Sequence, residues 1–195
     1  MSLGDRMINR RTRIRHRDFA AYARSRARIL DIGLERVNEA LIRQKEAGQV
    51  ICGFDIIEHP LPAGYDNFVR GDLCEISRHF PNEDFDVVFA GEVIEHVTDP
   101  YRALAELHKI LKPGGLLVIS TPNPHGFPLL MIEWLGLKRF FYTPDHLFAF
   151  PARWFERMLV NCGFTVDKKY GRDWIFNVKV PVPLCHQMTF VCRKK

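Results

Sequence analysis

Between Asp84 and Asn123 the chain reads DFDVVFAGEVIEHVTDPYRALAELHKILKPGGLLVISTPN. Phe85–Ala90 is a short, nearly all-apolar run rich in branched and aromatic residues, the pattern of a strand buried on both faces. Asp99-Pro100 then opens a helix, with the acid at the N-cap and proline at the first helical position. Tyr101, Leu104, Leu107, His108 and Leu111 recur at helical spacing, and Pro113-Gly114-Gly115 stops the helix and turns the chain. Leu116–Ser120 is a second buried run. Strand, helix and strand make one βαβ unit, whose strands run parallel with a right-handed crossover.

Taken together, FDVVFAGEVIEHV, a helix, LKPGGLLVIST and PNP resemble the second half of the class I S-adenosylmethionine-dependent methyltransferases. The group most similar is the small-molecule enzymes often called type 11. That resemblance implies a three-layer, doubly wound, Rossmann-like sheet of seven mostly parallel strands, the last antiparallel and inserted. It also implies S-adenosylmethionine as cofactor and a small-molecule methyl acceptor, such as a hydroxyl of a sugar, lipid or metabolite. The match covers roughly Ala27 to Arg193.

The remaining chain is consistent with one α/β domain, which 195 residues suit. Phe19–Ala27 reads as a lead-in helix, Arg28–Ile32 as the first strand, Asn38–Ala47 as a helix and Gln49–Asp55 as the second strand. Asn67–Gly71 is a modest third strand. Alternating strands and helices over the first 120 residues argue for an open, doubly wound parallel sheet. Residues 122–150 are rich in proline and aromatics (Phe127, Trp134, Phe140, Phe141, Tyr142, Phe148, Phe150), the character of a lid or binding segment. Pro151–Asn161 reads as a helix, Phe164–Lys169 and Gln187–Lys194 as the closing strands.

Charge divides the chain. Residues 1–28 hold nine arginines against Asp5 and Asp18, in a chain whose net charge is +5. The excess therefore belongs to an N-terminal arm, expected as residues 1–27 with the lead-in helix, ahead of a domain over 28–195. Such an arm is either a solvated helix face or flexible tail, or an RNA-binding element that would direct methylation to RNA. Five cysteines without metal-ligand spacing fit reduced core thiols in a cytoplasmic protein, with no metal centre. PLLMIEWLGL is too short to span a bilayer and carries Glu133.

In such a sheet ligands bind beyond the C-terminal ends of the strands. After the first strand comes DIGLERV, where the resemblance implies an acid and a G-x-G-x-G turn. Asp31 and Gly33 match; Glu35 and Val37 replace the other glycines. Two readings follow: the turn is rebuilt with Glu35 pointing away or meeting the cofactor, or the pocket is spoiled and the chain is a catalytically silent binding protein. Asp55 matches the ribose acid, since a carboxylate accepts both hydroxyls. Its plainer reading is a cap for the following turn. Ile56 would pack on adenine, Asp72 would meet its amino group beside Leu73, and Ala90, Gly91 and Glu92 would line the methionine end. Transfer from a sulfonium needs positioning first, and a base only for a protonated acceptor. His96, Tyr142 and His146 are the catalytic candidates, with His125 beside them. His96 is commonly structural in the resembled family, and Asp145 is placed to influence His146. TPNP follows the fifth strand, whereas the NPPY signature of nucleobase amino-methyltransferases follows the fourth, where this chain has AGEV.

Overall fold

The structure, a computed structural model, describes residues 3–82, 84–136, 145–172 and 178–195. Eight strands form one sheet: β1 (Arg28–Ile32), β2 (Val50–Asp55), β3 (Asn67–Arg70), β4 (Phe85–Gly91), β5 (Leu111–Pro122), β6 (Phe164–Arg172), β7 (Lys179–Val180) and β8 (Gln187–Lys194). Their order is β3-β2-β1-β4-β5-β8-β6-β7. The first five are parallel, and β8 runs antiparallel between β5 and β6. The expected seven-stranded sheet is present, and the two-residue β7 lengthens its edge to eight strands.

Residues alternate across this sheet as a strand's two-residue period requires. Ile29, Ile51, Val87, Phe89 and Val118 face α1 (Leu3–Ala20) and α2 (Glu39–Arg43). Leu30, Cys52, Phe54, Val88, Leu117 and Ile119 face α3 (Pro100–Ile110), α5 (Ala152–Asn161) and the 3-10 turn Leu73–Arg78. α4 (Phe127–Trp134) follows β5. The reversal of strand order between β1 and β4 opens the crevice where a doubly wound sheet binds its ligands.

The basic arm is a helix folded onto the domain, not a tail. Phe19 and Ala20, with Ala23 in the turn beyond, are buried against the β1–β4 face, and Phe19 stacks on Phe89 at 5.4 Å. Asp18 forms a nearly buried ion pair with Arg172 of β6. The helix ends at Ala20, so residues 21–27 form turns and not the expected lead-in helix. α2 is likewise shorter than the expected Asn38–Ala47. Lys45 turns instead to Asp66 and Gly64, and Glu46 takes the side chain of Gln49 on its amide. All five cysteines are free. No helix among the described residues is long and apolar enough to cross a membrane.

The crossover helix α3 starts as its sequence dictates: the Asp99 carboxylate accepts from the Arg102 amide at 2.9 Å, with Pro100 in the first turn. Asp99→Ala is expected to cost about 1 kcal/mol, lowering the melting temperature by about 2–4 °C in a thermal scan.

Candidate active site

The turn after β1 is built by side chains where glycines were expected. Gly33, at φ +83°, donates its amide to the Phe54 carbonyl at 3.0 Å. Leu34 then folds beneath the turn into the gap left by Gly53, where a Cβ would stand 2.5 Å from its Cδ1. Its amide donates to Asp55 Oδ2 at 2.6 Å. Glu35 is exposed and Val37 half-buried, so the burial in this turn is carried by Leu34.

Asp55 ends β2 at 9% exposure and also accepts from the Ile57 amide through Oδ1, at 3.0 Å. His59 Nε2 also lies 3.3 Å from Oδ2, so Oδ1 is the oxygen with room for an outside donor. Ile56 and Ile57 beside it are 65% and 63% exposed, an apolar shelf next to an acid. Gly71 donates to the Asp55 carbonyl, which sets the β3 end against the β2 end. Asp72 is exposed while its Oδ1 caps the 3-10 turn through the Cys74 amide, and Leu73 is buried below. Asp31, Asp55, Ile56, Asp72 and Gly91 thus line the C-terminal rims of neighbouring parallel strands.

Over β4, the helix α1 intrudes. A Cβ on Gly91 would stand 2.9 Å from Arg15 Nε and 3.2 Å from Phe19 Cε2. Arg15 lies within electrostatic range of both Asp31 and Glu95. Its Nε is buried without a hydrogen-bond partner among the described residues. Nothing local marked this arginine among nine. Asp31 itself is 7% exposed and receives the Tyr65 hydroxyl at 2.5 Å. Burial pushes its carboxyl up to about 7, against the pull of Tyr65 and Arg15. Ala90 is buried on the opposite face.

The segment after β4 is clasped by β5. Glu92, at φ +60°, donates its amide to the Ser120 carbonyl and accepts from the Ser120 hydroxyl at 3.0 Å. These bonds hold a backbone conformation a glutamate otherwise avoids. Glu95 is 1% exposed and accepts from Thr121. Burial, then the charge of Glu92, raises its carboxyl well above the ordinary range. The amides of Leu147 and Phe148 both donate to the Glu95 carbonyl, fastening residues 145–150 over the site. Phe148, Phe150, Phe155 and Phe190 continue that attachment inward as a file of contacting rings.

This brings His96 and His146 together, with ring centroids 4.8 Å apart, edge to face. Asp145 reaches both rings: its carbonyl lies 2.9 Å from His96 Nδ1, and its charge favours the protonated form of His146 as expected. A carbonyl only accepts, so in the neutral ring Nδ1 carries the proton and Nε2 the lone pair. Burial, then His96, holds His146 below the ordinary imidazole range. Glu95, His96 and His146 each bring a donor atom within 4.8 Å of the others, a set suited to a divalent cation as well as to proton transfer. Sequence spacing hid this group because His146 arrives from a distant segment. Tyr142 lies outside the described residues. His125 stands apart from this group, on a cavity of about 390 Å³ with Asn123, Trp154 and Pro183. A second cavity, about 340 Å³, lies between α1 and the β1–α2 turn, with Arg13, His16 and Arg36 on its walls.

Known proteins share this fold. The family profile described as a methyltransferase domain matches residues 6–169. The ubiquinone biosynthesis O-methyltransferase of Ruegeria pomeroyi is 34% identical over 62% of this chain and 56% of its own. The protein of the same name from Dinoroseobacter shibae is 33% identical over 73% of this chain and 62% of its own. The chain therefore spans under two thirds of the length of these curated relatives. In fold it is similar to an S-adenosylmethionine-dependent methyltransferase from Archaeoglobus fulgidus (TM-score 0.70, 21% identity, covering 94% of this chain and 93% of that one). It is also similar to the Burkholderia thailandensis 1,6-didemethyltoxoflavin-N1-methyltransferase, solved with S-adenosylhomocysteine (TM-score 0.66, 19% identity, covering 95% and 78%). With the sheet order and the rim of acids, the profile match places the chain among the class I methyltransferases: it belongs to the methyltransferase domain family.

Proposed function

We propose that the chain is an S-adenosylmethionine-dependent methyltransferase acting on a hydroxyl of a small molecule. One observation carries the reading: Asp55, exposed Ile56 and exposed Asp72 stand at the ends of neighbouring strands on one rim. These groups suit a nucleoside, the carboxylate of Asp55 taking ribose hydroxyls, Ile56 the face of the base and Asp72 an exocyclic amine. Asp31 and Arg15 offer opposite charges at the β1–β4 end, the complement of an amino-acid zwitterion. When bound, S-adenosylmethionine supplies an electrophilic methyl group on a sulfonium. The chain's part is to hold the acceptor, exclude water and take its proton. The bare Nε2 of His96 suits that last task. The names of the curated relatives support oxygen as the methylated atom.

Arg15 and Phe19 over Gly91 favour a second reading, a binding protein without catalysis. Calorimetric titration with S-adenosylhomocysteine separates the two. Saturable one-to-one binding, followed by transfer of a labelled methyl group from the cofactor to a hydroxyl-bearing small molecule in an acceptor screen, is the expected result. Absence of binding up to millimolar ligand would establish the silent protein.

A further inference from the structure

We propose that Tyr65 is a positioning residue for the cofactor site: its hydroxyl bridges Asp31 to the start of α2, setting the turn after β1 and aiming the Asp31 carboxylate. This rests on the reading above that Asp31 meets the cofactor. The argument begins with register. Asp31 of β1 lies opposite Gly53 of β2, and a Cβ there would stand 2.5 Å from Leu34 Cδ1 and 3.3 Å from the Tyr65 ring. Only the missing side chain lets Tyr65 lie across β2. Its hydroxyl then donates to Asp31 Oδ2 at 2.5 Å and accepts from the Asn38 amide at 3.4 Å. Asp31, Tyr65 and Asn38 are all buried.

The loop behind the ring is fixed as well. The Tyr65 amide donates to Pro62 O and the Asp66 amide to Ile51 O, while the Asp66 carboxylate accepts from Ile51 and Lys45. Arg15 of α1 is the other charged group facing Asp31; its β2 and β4 neighbours, Gly53 and Phe89, do not titrate. The hydroxyl and the guanidinium both favour the ionised carboxylate that burial opposes. Tyr65 therefore sets how much carboxylate is present near neutral pH, where a cationic amino group would require it.

Tyr65→Phe tests this, because the ring stays in place and only the oxygen leaves. S-adenosylhomocysteine affinity is measured from pH 6 to 9 for the wild type, Tyr65→Phe, Asp31→Asn and the double variant, with ligand-free thermal unfolding over the same range. Tyr65→Phe is expected to weaken binding about tenfold at pH 7. The midpoints of both the binding profile and the unfolding profile should move to higher pH. In the Asp31→Asn background, removing the hydroxyl should change affinity less than threefold, since the carboxylate whose ionisation it favours is gone. Equal weakening in both backgrounds, or unmoved midpoints, would overturn the proposal and leave the methyltransferase reading standing. Failure of the wild type itself to bind would remove that reading, and the ligand-free profiles would still decide whether Tyr65 governs Asp31.

Discussion

Replacing Asp31 by asparagine is expected to make the protein more stable than the parent above pH 7 and less stable near pH 4. The cause is a carboxyl buried at 7% exposure, pushed from its ordinary 3.8 to about 7. Near pH 3 both the folded and the unfolded chain carry the proton. Between about pH 4 and 7 the unfolded chain ionises while the folded one does not, so stability drains as pH rises and the loss is complete once the folded group ionises. That difference is worth about 4 kcal/mol. An asparagine escapes it entirely. Its amide oxygen still accepts from Tyr65, but its NH2 faces Arg15 and costs about 1–2 kcal/mol at every pH. The melting temperature of Asp31→Asn relative to the parent should therefore climb by about 10 °C between pH 4 and 8. Parallel profiles would show that Asp31 is not held neutral. A buried carboxyl that subtracts stability at neutral pH fits a functional site, where such shifts cluster.

Local chemistry made the βαβ unit legible, because each of its signals acts on its own neighbours. Asp99 caps and Pro100 starts the helix where they stand, but the helix ends at Ile110 and the expected stop, Pro113-Gly114-Gly115, lies inside β5. β1 and β8 span the expected Arg28–Ile32 and Gln187–Lys194. Even there the pairing went further than the pattern: Leu111 pairs with Phe85 across a bulge, so β5 begins five residues before the apolar run at Leu116. No property of Leu111 alone announces that.

The site was legible as a list of acids and opaque as an arrangement. Asp31, Asp55 and Asp72 were found from strand ends, but what they touch is set by residues far along the chain. The Tyr65 partner of Asp31 is 34 positions away, and Arg172 reaches Asp18 across 154. α1 was opaque for a different reason. Nine arginines read as an arm, and the few residues that dock it, Phe19, Ala20 and Ala23, sit at its far end. Glu35, where a glycine belonged, left two readings open, a rebuilt turn or a spoiled pocket. Burial is instead carried by Leu34, which uses the opening at Gly53, and that compensation crosses two strands.

Asp55→Ala should abolish most cofactor affinity and destabilise the chain together, because one carboxylate serves both. It accepts from the Leu34 amide at 2.6 Å and the Ile57 amide at 3.0 Å, on either side of the proposed nucleoside shelf. Each such charge-assisted bond contributes about 1.5–3 kcal/mol, and removal leaves two amides without acceptors at a buried strand end. A loss of about 3 kcal/mol in urea unfolding is expected. S-adenosylhomocysteine should bind about 100-fold more weakly, from the lost ribose acceptor and from a turn no longer held at Leu34. Asp55→Asn separates the contributions: its single oxygen keeps the Leu34 amide while the second acceptor is gone, so stability should recover by about half and affinity should remain about tenfold reduced. Affinity within threefold of wild type in Asp55→Ala, with the expected loss of stability, would confine Asp55 to holding the turn.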